Sequence, residues 1–202
     1  VWSEHVIWGF LLPLKDYIGK FGEPHNNIFT LYSMPTTNAI KPAIYWTAAT
    51  AINQVQIFNG IATSSGISTV PTVLDIFITH LTQRGAALMA NQAVNMGGII
   101  GGPNPSVLPD ISLGVRNTRR LQNLLAFHEF AHASHFSLVG STWWGLLFEA
   151  EFVNATEFSI DFRFETIQFE LDPYGDGTNT FDGFIAVAES WAEHIGVKFA
   201  GD

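Results

Sequence analysis

The sequence predicts an α+β fold, and three observations carry that expectation. The strand-like stretches Ile28–Tyr32, Val73–Thr79 and Ile111–Val115 all fall before residue 116. Helical apolar periodicity dominates the remainder, over Arg119–Phe136, Trp143–Phe158 and Phe184–Phe199. Across the 202 residues, 47% are apolar and only 13% charged, which argues against disorder and allows a substantial core.

Taken in order, residues 1–39 mix aromatics with turn residues such as Gly19, Gly22, Pro24, Asn26, Asn27 and Pro35. They read as an N-terminal cap or the remnant of a preceding module, within a single domain spanning 1–202. The chain opens on Val1, as a trimmed or excised form would. Pro42–Phe58 reads as a helix, with Pro42 in its first turn and Asn59-Gly60 ending it. Val73–Thr79, rich in β-branched and aromatic residues, is the strongest strand. Residues 84–109 hold four glycines and three prolines in their second half and read as an irregular loop. Ile111–Val115 alternates as a short strand and is expected at a sheet edge. Asn117-Thr118 precedes the helix at Arg119 as a cap. Asp172–Gly183 reads as an acidic turn-rich loop before the last helix. Asp172, Asp176, Asn179 and Asp182 in that loop do not meet the calcium-loop pattern, because Tyr174 and Gly183 stand at ligand positions.

Composition excludes several function classes. A net charge of −9 argues against nucleic acid as a partner. The basic cluster Arg116, Arg119 and Arg120 reads as a solvated helix approach. No apolar run reaches the roughly 18 residues of a membrane span. Without cysteine there are no disulfides and no thiolate metal sites.

One string carries chemistry: His128-Glu129-Phe130-Ala131-His132, inside a helical run. Residues four apart share a helix face, so the two histidines can hold one metal ion. Glu129, beside that face, can act as general base on a water activated by the ion. With 7 His in the chain, chance would supply about 0.01 such strings.

A catalytic zinc site needs a third protein ligand. His135 lies on the same helix but seven residues from His128, roughly 10.5 Å along the axis, too far to share the ion. It is expected to support the ligands from outside or to sit in the core or cleft. No third histidine follows at metzincin spacing. The last helix, otherwise apolar, carries Glu189 and Glu193 on one face, 57 and 61 residues after His132. The economical reading makes Glu189 the third ligand and Glu193 an acceptor for a ligand histidine's outer N–H. A solvated helix edge is the alternative.

The H-E-x-x-H string followed by Glu189-x-x-x-Glu193 resembles the gluzincin metallopeptidases. His128–Phe136, Trp143-Trp144, Tyr174-Gly175-Asp176 and Ala188–Gly196 together resemble a group of exported bacterial zinc peptidases. The resemblance spans residues 40–199 and implies a zincin-like fold, a small mixed sheet beside the metal helix with a helical C-terminal part. It further implies one Zn²⁺ ion, a peptide or protein substrate, and a location outside the cell, at its surface or in the periplasm. It departs in having Glu at 193 where Asp is usual. Tyr174, His194, His135 and His80 are candidates to steady an oxyanion, Tyr174 foremost because a phenol in a Pro-Tyr-Gly turn can move. A substrate would lie along the edge offered by Ile111–Val115. A zincin-fold binding or surface protein with little catalysis, and a hydrolase for non-protein amides or cell-wall peptides, are the competing functions.

Overall fold

The computed structural model describes residues 16–22, 28–33, 35–80, 83–87, 89, 109–155, 159–161, 168–170 and 182–201. Among the described residues two strands come first, β1 (Asp16–Gly22) and β2 (Ile28–Ser33), followed by helix α1 (Lys41–Ser65) and strand β3 (Val73–Thr79). Strands β4 (Gly85–Ala87) and β5 (Ile111–Gly114) lead into the long helix α2 (Arg119–Ala155). A short ribbon, β6 (Ser159–Asp161) with β7 (Gln168–Glu170), precedes helix α3 (Asp182–Ala200). The described residues thus form a mixed α and β structure with one five-stranded sheet and three helices.

Strand order in that sheet is β1-β2-β3-β5-β4. Its three middle strands run parallel, and β1 and β4 are antiparallel to their neighbours at the two edges. Parallel neighbours require a crossover, and α1 supplies the one from β2 to β3. The stretch expected as an N-terminal cap therefore contributes two strands, and Phe29 and Leu31 of β2 are fully buried. Strand β5 (expected at an edge) is internal, between β3 and β4. The edge is taken by Gly-Ala-Ala, whose small side chains give no β signal in the sequence.

Helix α1 overruns the expected stop at Asn59-Gly60 and ends at Gly66, in left-handed backbone at φ 69°, whose N–H meets the carbonyls of Ala62 and Thr63. Asn59 is used otherwise: its Oδ1 accepts the Val70 N–H at 3.1 Å, tying the helix to the chain leading into β3. Phe58, fully buried, meets Phe127 and Phe130 of α2 and Phe199 of α3, so one ring joins all three helices.

The expected Thr118 cap is present. Its Oγ1 accepts the Leu121 N–H at 3.3 Å. Buried Gln122 then locks α2 to the sheet. Its Oε1 accepts from the Arg116 N–H at 2.8 Å and the Thr47 hydroxyl at 3.4 Å, while its Nε2 donates to the Gly114 carbonyl at 3.2 Å. The two helices expected around Phe136 and Trp143 meet without a loop, at a single break: Gly140 has φ 80° and ψ 175°, a conformation open only to glycine. Gly140→Ala should cost about 1–3 kcal/mol in denaturant unfolding. Gly60→Ala, inside α1 with open space at the Cβ position, should instead stabilise by about 0.5–1 kcal/mol. Equal effects at the two positions would contradict this assignment of the break.

Candidate metal centre

Helices α2 and α3 pack together over a large part of their lengths, and their contact builds the site. Alanines and one glycine line the contact from the α3 side: Ala188, Ala192 and Gly196 are buried. A Cβ on Gly196 would stand 2.9 Å from the His128 Cα and 3.0 Å from its N. Only hydrogen at that position allows α3 to lie this close to the first histidine. Gly196 is seven residues after Glu189, hence on the same face. That spacing was visible in the sequence, but its meaning needed the partner helix.

His128, His132 and Glu189 converge. Each offers one ligand atom, and these atoms lie within 4.8 Å of one another. The two Nε2 atoms are 3.2 Å apart. Glu189 Oε2 is 3.6 Å from His128 Nε2, and Oε1 is 3.4 Å from His132 Nε2. Ligands spaced tetrahedrally around one ion with bonds of about 2.0–2.1 Å are about 3.3–3.4 Å apart. The two nitrogens stand close to that spacing, each meets a different oxygen of Glu189, and the group could hold a metal ion.

Glu193 faces the other side of His128, with Oε2 3.7 Å from Nδ1. It is 74% exposed, and the separation is beyond hydrogen-bond range. Glu129 is only 4% exposed. Gly85 of β4 lies against it: a Cβ there would stand 2.7 Å from the Glu129 Cγ and Cδ. The edge strand thus touches the carboxylate, and nothing in the Gly-Ala-Ala sequence signals this.

Electrostatics separate the two carboxylates. Burial raises the Glu129 pKa above its ordinary value, although His128, His132 and Arg116 pull it down. Burial also acts to raise Glu189, but its hydrogen bonds to His128 and His132 prevail and bring it down to about 2. Burial would lower the His128 pKa. The Glu189 hydrogen bond and the charges of Glu129, Glu189 and Glu193 outweigh that and hold it above the ordinary 6.5.

His135 does not join this group. It is 3% exposed, stacked on Trp191 with centroids 5.7 Å apart and edge-on to Trp143 at 4.6 Å and Trp144 at 5.9 Å. Burial, then the nearby His132, lowers its pKa to about 4, so it is a neutral core histidine. His194 is exposed on α3, and His80 follows β3, half-buried. Tyr174 and the acidic loop positions Asp172, Asp176 and Asn179 lie outside the described residues.

No protein family model matches this chain, and neither the curated proteins nor the solved structures contain a match.

Gly196→Ala should force α3 away from His128 and weaken metal binding by about 10–100-fold, the range seen when ligand support is lost. Unchanged affinity in a calorimetric titration would contradict the close-approach argument. The pH dependence follows from signs. In the metal-free protein the raised His128 pKa contributes stability below 6.5, lost as pH rises through its folded value. The lowered Glu189 pKa contributes above 4.5, lost as pH falls towards 2. A metal must displace the His128 proton, so affinity should fall as pH drops from about 8 to 6, with proton release on binding. A pH-independent affinity would exclude His128 as a ligand.

Proposed function

We propose that this chain is a zinc-dependent peptidase of the gluzincin type with a zincin-like fold. The observation that carries the reading is the convergence of two imidazole Nε2 atoms and one carboxylate, with the buried Glu129 beside them. Two histidines and a glutamate, all on rigid helices, suit zinc and leave a coordination position for chemistry. When bound, zinc supplies Lewis acidity, polarising a carbonyl and acidifying water in the site towards a pKa of about 7.

The chain's own residues then have distinct tasks. Glu189, kept ionised by its histidine partners, adds the negative charge that favours a dication. Glu193 adds a further negative charge on the Nδ1 side of His128. Glu129 takes the proton of the attacking water and returns it to the leaving amine. Its desolvation suits this work, because a carboxylate with a raised pKa is the stronger base.

An extended peptide would pair with β4, the strand that touches Glu129, in place of the expected β5. The small residues of β4 leave space for substrate side chains. Among the candidates for steadying the oxyanion, His135 is enclosed by tryptophans and is set aside. No described helix is long and apolar enough to cross a membrane, and an extracellular or surface location rests on the sequence resemblance.

Glu129→Gln should lower peptide hydrolysis by about 10²–10⁴-fold while leaving zinc content unchanged. Equal turnover by the wild type and the variant on a peptide library would sink the peptidase reading.

A further inference from the structure

The outer face of α1 carries no charge. From Pro42 to Leu74 the chain holds no Asp, Glu, Lys or Arg, and Lys41 is the only charged residue of this 25-residue helix. Protein surfaces ordinarily have about a quarter to a third of their positions charged. Burial is not the reason here. Tyr45 is 56% exposed, Trp46 39% and Ile57 43%, and Ala49, Asn53 and Gly60 are exposed with them. At about 100° per residue, Trp46, Ala49, Asn53, Ile57 and Gly60 fall on one stripe of the helix, roughly 80° wide.

That stripe is symmetric about Asn53. Ala49 and Ile57 stand four residues to either side of it, and Trp46 and Gly60 stand seven. In each pair a large side chain answers a small one. A Cβ on Gly60 would meet nothing within 4 Å, so the position is an open notch in the helix surface. Glycine weakens a helix interior, and no contact within the chain explains it at this place.

We propose that α1 pairs with α1 of a second copy of this chain, antiparallel, about a two-fold axis at Asn53. A contact of this symmetry sets each residue opposite the one equally far from the axis in the other copy. Trp46 then seats over the partner's Gly60, and Ile57 over the partner's Ala49. At the axis Asn53 meets the partner's Asn53, and two carboxamides there exchange N–H···O bonds, each being donor and acceptor. Lys41 comes to the carboxyl end of the opposite helix, which is the negative end of its dipole. A parallel pair would instead set Trp46 against Trp46 and leave the two notches facing each other. Charge selects the same face, because copies that each carry −9 repel, and a surface without carboxylates is where they can meet. The metal-centre residues lie on other helices, so this pairing does not depend on the peptidase reading.

Sedimentation of the purified full chain over about 1–100 µM tests the pairing. The wild type should become dimeric within that range. Asn53→Asp and Asn53→Lys each bring two like charges together at the axis and should each weaken the dimer by about tenfold or more, with helix content by circular dichroism unchanged. An equimolar mixture of the two variants should recover the dimer, because the axis then joins opposite charges. Gly60→Leu fills the notch and should also weaken pairing by about tenfold or more. A wild type that stays monomeric overturns the proposal, whether another segment of the chain covers the face or none does. If that monomer sediments with phosphatidylcholine vesicles, the face belongs to a bilayer, and the proposal fails equally. A dimer that survives in both Asn53 variants is formed elsewhere on the molecule. A mixture that stays monomeric, or a Gly60→Leu dimer as tight as the wild type, contradicts the two-fold register.

Discussion

The site depends on the close approach of α2 and α3 where Gly196 meets the backbone of His128. Helices with side chains at the contact lie 8–10 Å apart, about the range that ordinary packing gives. A glycine at the crossing, with Ala188 and Ala192 beside it, lets the carboxylate of Glu189 reach both imidazoles. Apolar burial holds that approach in place. Phe58 and its contacts with Phe127, Phe130 and Phe199 sit at the junction, where truncating a ring costs about 3–5 kcal/mol.

Rigid placement of α2 matters equally. The Thr118 cap starts the helix, and Gln122 fixes its first turns to β5 and α1 through three hydrogen bonds. Glu129 is then pressed against β4 and away from water. The same packing gives two nearby carboxylates opposite characters. Glu129 is raised by desolvation against the pull of His128, His132 and Arg116; Glu189 is lowered by two imidazoles. Environments that push like groups apart in pKa suit them to different work, which on the proposed reading is that of a base and a ligand.

Much of this was legible in the sequence. The strand Val73–Thr79, the Thr118 start and the helix carrying the histidines follow from periodicity and capping. His128, His132 and Glu189 were readable because metal geometry demands residue types at helix spacing. What escaped were features whose meaning lies in a partner. Gly-Ala-Ala becomes a strand only because β5 pairs with it. Gly85 and Gly196 are defined by what a side chain would strike. Asn59 looked like a helix stop and is a hydrogen-bond acceptor for Val70 instead. Distance sets His135 apart from His128 in the sequence, and it lies outside the His128, His132 and Glu189 group; its tryptophan enclosure arises from two helices meeting across the fold.

The central claim is that one ion binds His128, His132 and Glu189 together. Zinc K-edge absorption on the zinc-loaded chain reads that shell directly. The account expects one equivalent of zinc in four- or five-fold coordination, with two imidazole nitrogens and carboxylate or water oxygens at about 2.0–2.2 Å. Loss of one imidazole contribution in His132→Ala should follow. A shell of six oxygens with no imidazole scattering, or a spectrum unchanged by that substitution, would contradict it.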